Sequence, residues 1–274
     1  MMNARSLLLL SFPLLIHTSM NGCSPVVYES EDEKLYDRGY LAYSDSAYQH
    51  QTGYLAALDT AIELFNRVIT DHPYSSKVDN AQYFLGKTHI DYAQHCARSG
   101  DTTAAVEHYK RAPLSLEAID AKSNYYVDGL YYAAHARLGL NEIQPGEQWP
   151  DQVIQSFFSV ATGFAQHSRA AYSLREIGHI YRRIHETSGE AAAIDSAAVY
   201  FQKVVNNYTN HPAYSGSLYW AATCFHNQDS MSVAAHLYYT MYRDWSIEHG
   251  DTTGTNFKFA TQRIATYEAG SNEN

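Results

Sequence analysis

Fourteen histidines and 29 acidic side chains are ample material for metal or acid–base chemistry, so their spacing has to decide whether they do any. The stretch "THIDYAQHC" sets His89, Asp91, His95 and Cys96 close together. A helical zinc pair uses the i, i+4 spacing, which puts both rings on one face. His89 and His95 are six apart, and "GHIYRRIH" repeats that gap with His179 and His185, so each pair falls on different faces. His72 and His211 stand before Pro73 and Pro212, where turn geometry explains them. Ser168, Ser173 and Ser217 fall in helix-start contexts, without the strained elbow of a nucleophilic serine. The chain has no phosphate loop and no dinucleotide fingerprint, and no carboxylate pair stands in an acid–base pattern. The expectation is a non-catalytic protein with no metal and no cofactor.

The remaining reactive group is a thiol near the start. In "LLIHTSMNGCSPVVYESEDEK" Cys23 follows a short apolar run that begins after Arg5. That run falls short of the ~20 residues a membrane-spanning helix needs. A basic start, a brief apolar core and small residues before a cut describe a secretory signal, expected over residues 1–22. Gly22 and Cys23, with Met20 and Asn21 before them, resemble the bacterial lipoprotein signal. The resemblance implies cleavage before Cys23 and acylation of its sulfur and new amine. Two or more acyl chains give stable anchorage where one gives only marginal binding. Ser24 in place of Asp points to the outer membrane, with the protein facing the periplasm. Residues 23–34 are then an acidic tether. A net charge of −10 excludes nucleic acid as a partner, since phosphates call for a basic face.

The elements that would carry any site are helices. In "AIELFNRVITDHP" Ala61, Phe65 and Val68 share one helical face, and Pro73 ends the run. "NAQYFLGKTHIDYA" follows with Leu85 and Gly86, the glycine allowing close helix approach. The pattern returns as Leu174, Ile177, Gly178 and Tyr181, and again as Leu218, Ala221, Ala222 and Phe225. Partner helices carry Ala105 with Tyr109, Ala197 with Phe201, and Ala234 with Tyr238. Helices are predicted near 32–46, 54–71, 76–98, 101–112, 115–138, 151–166, 168–187, 190–208, 213–227, 230–246 and 256–268. Ser115, Asp101 and Asp229 are the expected caps.

These residues resemble the tetratricopeptide repeat, a 34-residue helix–turn–helix unit. The resemblance implies an all-α, tetratricopeptide-like solenoid of helical hairpins, about five pairs plus a C-terminal capping helix. The solenoid would cover residues 35–246, with an irregular linker near 139–150, and 247–274 would form the cap and tail. In such a stack Cys96 and Cys224 lie about three units apart, roughly 30 Å at ~10 Å per packed helix layer. A disulfide needs α-carbons within about 7 Å, so both are expected as buried free thiols.

Solenoids bind along their concave surface, which the first helix of each unit lines in this repeat class. The outward positions there are Tyr83, Lys87 and Asp91, then Tyr172, Arg175, His179 and Arg182, then Tyr219, Thr223 and His226. Arg175, His179, Arg182 and Arg183 form a cationic cluster suited to the carboxylate of an extended peptide, unless the arginines pair with Glu176 and Glu186. Cys23, the short tether, "LYDRGYLAY" and "AIELFNRVITDHPYSS" resemble the repeat lipoprotein of the outer-membrane β-barrel assembly machinery. That resemblance implies protein partners in the cell envelope, among them an outer-membrane barrel protein, and membrane contact through the lipid. The contrasting expectation is a lipoprotein that captures glycans or peptides.

Overall fold

A computed structural model describes residues 29–45, 53–146, 149–229 and 232–271. Residues 1–22 and Cys23, the expected signal and anchor, lie outside them. The chain runs as α1 (Glu31–Asp45), α2 (Tyr54–Asp71), α3 (Val78–Ser99), α4 (Thr102–Leu116), α5 (Tyr126–Ile143) and α6 (Trp149–Gly163). It continues as α7 (Ser168–Ser188), α8 (Ala191–Asn207), α9 (Ala213–Gln228), α10 (Val233–Glu248) and α11 (Thr255–Ser271). No strand occurs among the described residues. Among them no helix is long and apolar enough to cross a membrane.

Each helix packs on the next, and a second set of contacts gives the stack its direction. Helix α1 also touches α3, α3 touches α5, α5 touches α7 and α7 touches α9, whereas among the described residues no two even-numbered helices pack comparably. The odd helices therefore form an inner row and the even ones an outer row. This is the tetratricopeptide-like helical-hairpin solenoid, with five pairs and α11 closing the end against α10.

Local sequence explains the pairs. In α2 the stripe Leu58, Ala61, Phe65 and Val68 is fully buried, as helical periodicity requires. The chain breaks before Pro73 with His72 as C-cap. Gly100 and Gly189 end α3 and α7 at φ 86° and 71°, a left-handed conformation that favours glycine. Within pairs, small residues admit large neighbours. A Cβ at Gly86 would stand 2.3 Å from Leu116, and one at Gly178 would stand 2.9 Å from Phe201. Fully buried Phe201 contributes about 1.5–3 kcal/mol relative to exposure. Polar ties link neighbouring units: the Ser75 hydroxyl donates to Asp32, Arg169 donates to Asp128, and the Tyr208 hydroxyl donates to the Ala165 carbonyl at 2.9 Å. Cys96 and Cys224 are buried and free, and burial pushes the Cys224 thiol up to about 12.

Several boundaries differ from expectation. Helix α4 does not stop before Pro113 but carries it internally and ends at Leu116. The fully buried Leu116, seated against Gly86, holds that last turn in place. Ser115 is thus no cap, and α5 starts at Tyr126 rather than near 115. It also runs to Ile143, so Gly139 is a buried helical residue rather than linker. Asp101 does cap α4, accepting from Ala104 N at 3.0 Å. Asp229 instead ends α9, and Ser232 caps α10, accepting from Ala235 N at 3.4 Å. The buried face of α10 carries Ala235, Tyr239 and Tyr242, one position on from the expected Ala234 and Tyr238. Tyr238 lies half-buried against Phe225 and accepts from Gln202 at 3.1 Å. Helix α1 begins at Glu31, inside the stretch read as tether, because Glu31, Asp32 and Glu33 suit a helix N-terminus.

Candidate functional site

The inner row encloses a large cleft of about 780 Å3 between α1, α3, α5 and α7, with Tyr109 of α4 reaching in from behind. Its walls take Lys87, Asp91 and Gln94 from α3, Tyr131, Tyr132, His135 and Glu142 from α5, and Arg169, Glu176, His179, Arg182 and Arg183 from α7. Lys87, Asp91, His179 and Arg182, each singled out by sequence, thus converge there. The helical period explains the first two: Lys87 and Asp91 are one turn apart on the inner face of α3.

The other six positions fall elsewhere. Tyr83 is buried, stacked on Tyr125 at 4.6 Å, and underlies Lys87 instead of facing solvent. Tyr172 packs edge-on to His211 at 4.6 Å, and Arg175 lies over Tyr172 at 5.1 Å while pairing with Glu176 at 3.0 Å. Tyr219 is buried among Trp220, Tyr239, Tyr242 and Phe259. Thr223 donates to the Tyr219 carbonyl at 2.9 Å, and His226 sits 6.3 Å from Tyr239. Phe259 belongs to α11, so the cap packs a ring against Tyr219 on the inner face of α9.

Arg169, Tyr131, Tyr132 and His135 are cleft residues that the sequence reading passed over, and Tyr109, read as a packing residue of a partner helix, also reaches the cleft. Leu138-Gly139 repeats Leu85-Gly86 and would have marked α5 as an inner helix. Gly139 has a specific use: a Cβ there would stand 2.4 Å from Tyr109 Cζ and 2.7 Å from its hydroxyl. The missing side chain is what lets Tyr109 pass from α4 into the cleft.

Electrostatically the cleft is a mesh of cations and rings on an acidic protein. Arg169 lies 4.8 Å from the centre of Tyr131 and 5.0 Å from that of Tyr132. Lys87 lies 4.8, 5.6 and 6.0 Å from Tyr132, Tyr83 and Tyr43. Arg182 lies 4.5 Å over Trp220 and donates to Glu186, while Arg183 donates to Glu142 across α7 and α5. Burial raises the Asp91 carboxyl, against the opposing hydrogen bond from Tyr43. Burial lowers His135, and it lowers His179 to about 4, with the neighbouring arginines adding to the effect and Glu176 opposing it. Both rings are therefore neutral near pH 7 and neither adds to the positive charge.

No group of three or more His, Cys, Asp or Glu that could hold a metal occurs among the described residues. The closest histidines, His89 and His108, lie behind the cleft with Nδ1 atoms 3.0 Å apart. Burial lowers His89 to about 3, and Arg111 adds to the lowering, which also disfavours a cation. What the cleft offers is surface: ring edges, cations held flat on ring faces, and a few polar atoms pointing inward.

No protein-family profile matches the chain, and no curated protein matches it. Among solved structures it is similar to a thermophilic TPR protein of Thermus thermophilus, at 14% identity and a TM-score of 0.43, covering 87% of this chain and 99% of that one.

Proposed function

We propose that this chain is a non-catalytic tetratricopeptide-like adaptor of a Gram-negative cell envelope, lipid-anchored at Cys23 and holding a segment of a protein partner in its concave cleft. The observation that carries the reading is the cleft itself: about 780 Å3, formed by consecutive inner helices and open along the row. An extended chain laid across such a row meets side chains from several units at once, which is how solenoids bind. The signal-like start and Cys23 support anchorage to the outer membrane, facing the periplasm. Work alongside an outer-membrane barrel protein is the place in the envelope that the resemblance of "AIELFNRVITDHPYSS" favours.

Capture of glycans finds less support. Sugars bind by stacking on open aromatic faces, and here cations already cover faces of Tyr131, Tyr132, Tyr83 and Tyr43.

Two experiments test the parts separately. A photo-crosslinking amino acid at Gln94 in the cleft wall should trap a defined protein partner in cells, and one at Lys203 on the outer helix α8 should not. Equal trapping from both positions, or none from Gln94, contradicts the cleft as the partner site. For the anchor, Cys23→Ala should abolish incorporation of labelled palmitate; retained label contradicts it.

A further inference from the structure

Lys87 and the Tyr109 hydroxyl are among the polar groups of the cleft that lack a hydrogen-bond or ion-pair partner among the described residues, and both suit the same ligand chemistry. Lys87 lies against three tyrosine rings and makes no ion pair among those residues. Asp91, one turn away, attracts it but is held by the Tyr43 hydroxyl without closing a bridge. The Tyr109 hydroxyl, brought through the gap that Gly139 leaves, makes no hydrogen bond among the described residues. An ammonium and a phenol O–H are both donors, and together they call for an acceptor carrying negative charge.

The other cations of the cleft lie further along the row, on α7. Arg182 and Arg183 are held by Glu186 and Glu142, whose side chains are each 49% exposed. The glutamates are the exposed partners, while Arg182 and Arg183 are only 20% and 33% exposed, so an incoming carboxylate can take the place of either glutamate on an arginine that stays in the cleft wall. From α3 to α7 is two steps along the inner row, roughly 20 Å at ~10 Å per step. An extended chain covers that in about six residues at ~3.3 Å each.

We propose that the cleft receives an acidic stretch of its partner, an internal run of glutamates or aspartates of about six residues or more. One carboxylate is held by Lys87, the Tyr109 hydroxyl at Gly139 offers a further donor along the same cleft, and later carboxylates exchange into the arginine pairs of α7. This rests on the reading of the cleft as the partner site, and it moves the anion-holding role from the α7 arginines to Lys87. The charge contrast favours it: the chain carries a net −10, whereas the cleft sets Lys87, Arg169, Arg182 and Arg183 against Asp91, Glu142 and Glu176, so an acidic segment is repelled less there than over the rest of the surface.

The test uses the full-length protein and fluorescein-labelled octaglutamate and octaglutamine peptides, followed by anisotropy. Octaglutamate should bind at least about tenfold more tightly than octaglutamine, and Lys87→Gln should lose about tenfold of that affinity, the scale of one charge-assisted hydrogen bond. Lys87→Arg should keep most of the affinity. Tyr109→Phe, which keeps the ring and removes only the hydroxyl, should lose about threefold to fivefold. Lys203→Gln, on the outer face, should change nothing. Equal binding of the two peptides, no binding of octaglutamate, or binding indifferent to Lys87→Gln each overturns the proposal. The two readings fail separately. If Gln94 traps a partner through a segment that is not acidic, and octaglutamate does not displace it, the acidic-segment proposal falls while the partner site stands. If Gln94 traps nothing, the partner site falls.

Discussion

The two ends of the inner row start from the same helical grammar and finish in opposite states. Between α3 and α7 the row is open, walled by Lys87, Asp91, Arg169 and Arg183. At α9 Tyr219, buried as Tyr83 is on α3, packs with Tyr239, Tyr242 and Phe259 of the closing helices. The difference lies less in α9 itself than in the helices packed on it. Helix α11 supplies Phe259, Ala260 and Ile264 to the core beside α9, while the middle units line their cleft with tyrosine rings and charged side chains. A repeat therefore becomes a binding surface or a cap according to its neighbour, and the inner positions of one unit cannot be read in isolation.

Removing bulk from the closed end should give the largest effect. Tyr239 is 1% exposed, and Tyr239→Ala should cost about 3–5 kcal/mol by leaving a large cavity, lowering the melting temperature by about 10 °C. Lys87→Gln, in the open end, should leave the melting temperature within a degree or two. If the cleft variant melts lower than the core variant, the assignment of the two ends is reversed.

That contrast was only partly legible in sequence. Gly86 and Gly178 stood out, because a small residue at a helix crossing has a steric reason. Lys87, Asp91, His179 and Arg182 followed from the helical period. The α5 wall did not, since Pro113 reads as a helix end and the long turn from Glu117 to Tyr125 hides the true start of α5. The intervals from Gly86 to Gly139, Gly139 to Gly178 and Gly178 to Ala222 all exceed the 34-residue unit, so counting from one repeat misplaces the next. Tyr83 and Tyr219 hold the same position in α3 and α9 and are both buried by rings of other helices, Tyr125 for one and Tyr242 and Phe259 for the other, which no local period records.

Acid should sharpen the comparison next, because the lowered histidines lie in and behind the open half. His89 is neutral in the fold and its pKa is lowered from 6.5 to about 3, so below pH 6.5 the unfolded chain binds a proton that the folded chain refuses. Stability is therefore full above about pH 6.5 and is lost as pH falls from there toward the folded value. Between pH 6.5 and 5 the loss from His89 alone is about 2 kcal/mol. Denaturant titrations at the two values should show it, and His89→Leu should reduce the difference, the part that remains belonging to the other lowered histidines such as His135 and His179. A pH-independent midpoint would contradict the buried neutral pair with His108.

Two glycines give smaller effects of opposite sign. Gly139→Ala should cost about 1–3 kcal/mol, since its Cβ meets the Tyr109 ring. Gly216→Ala, within α9 and with nothing within 4 Å of its Cβ, should stabilise by about 0.5–1 kcal/mol. Equal effects at both sites would show that Tyr109 does not pass through the gap at Gly139.

Backbone hydrogen exchange of the full-length chain, with and without octaglutamate, tests the contrast between the two ends most directly. The account predicts added protection in α3 and α7, with α9, α10 and α11 unchanged because their inner face is already filled. Protection centred on α9 to α11, or spread evenly along the solenoid, would contradict it.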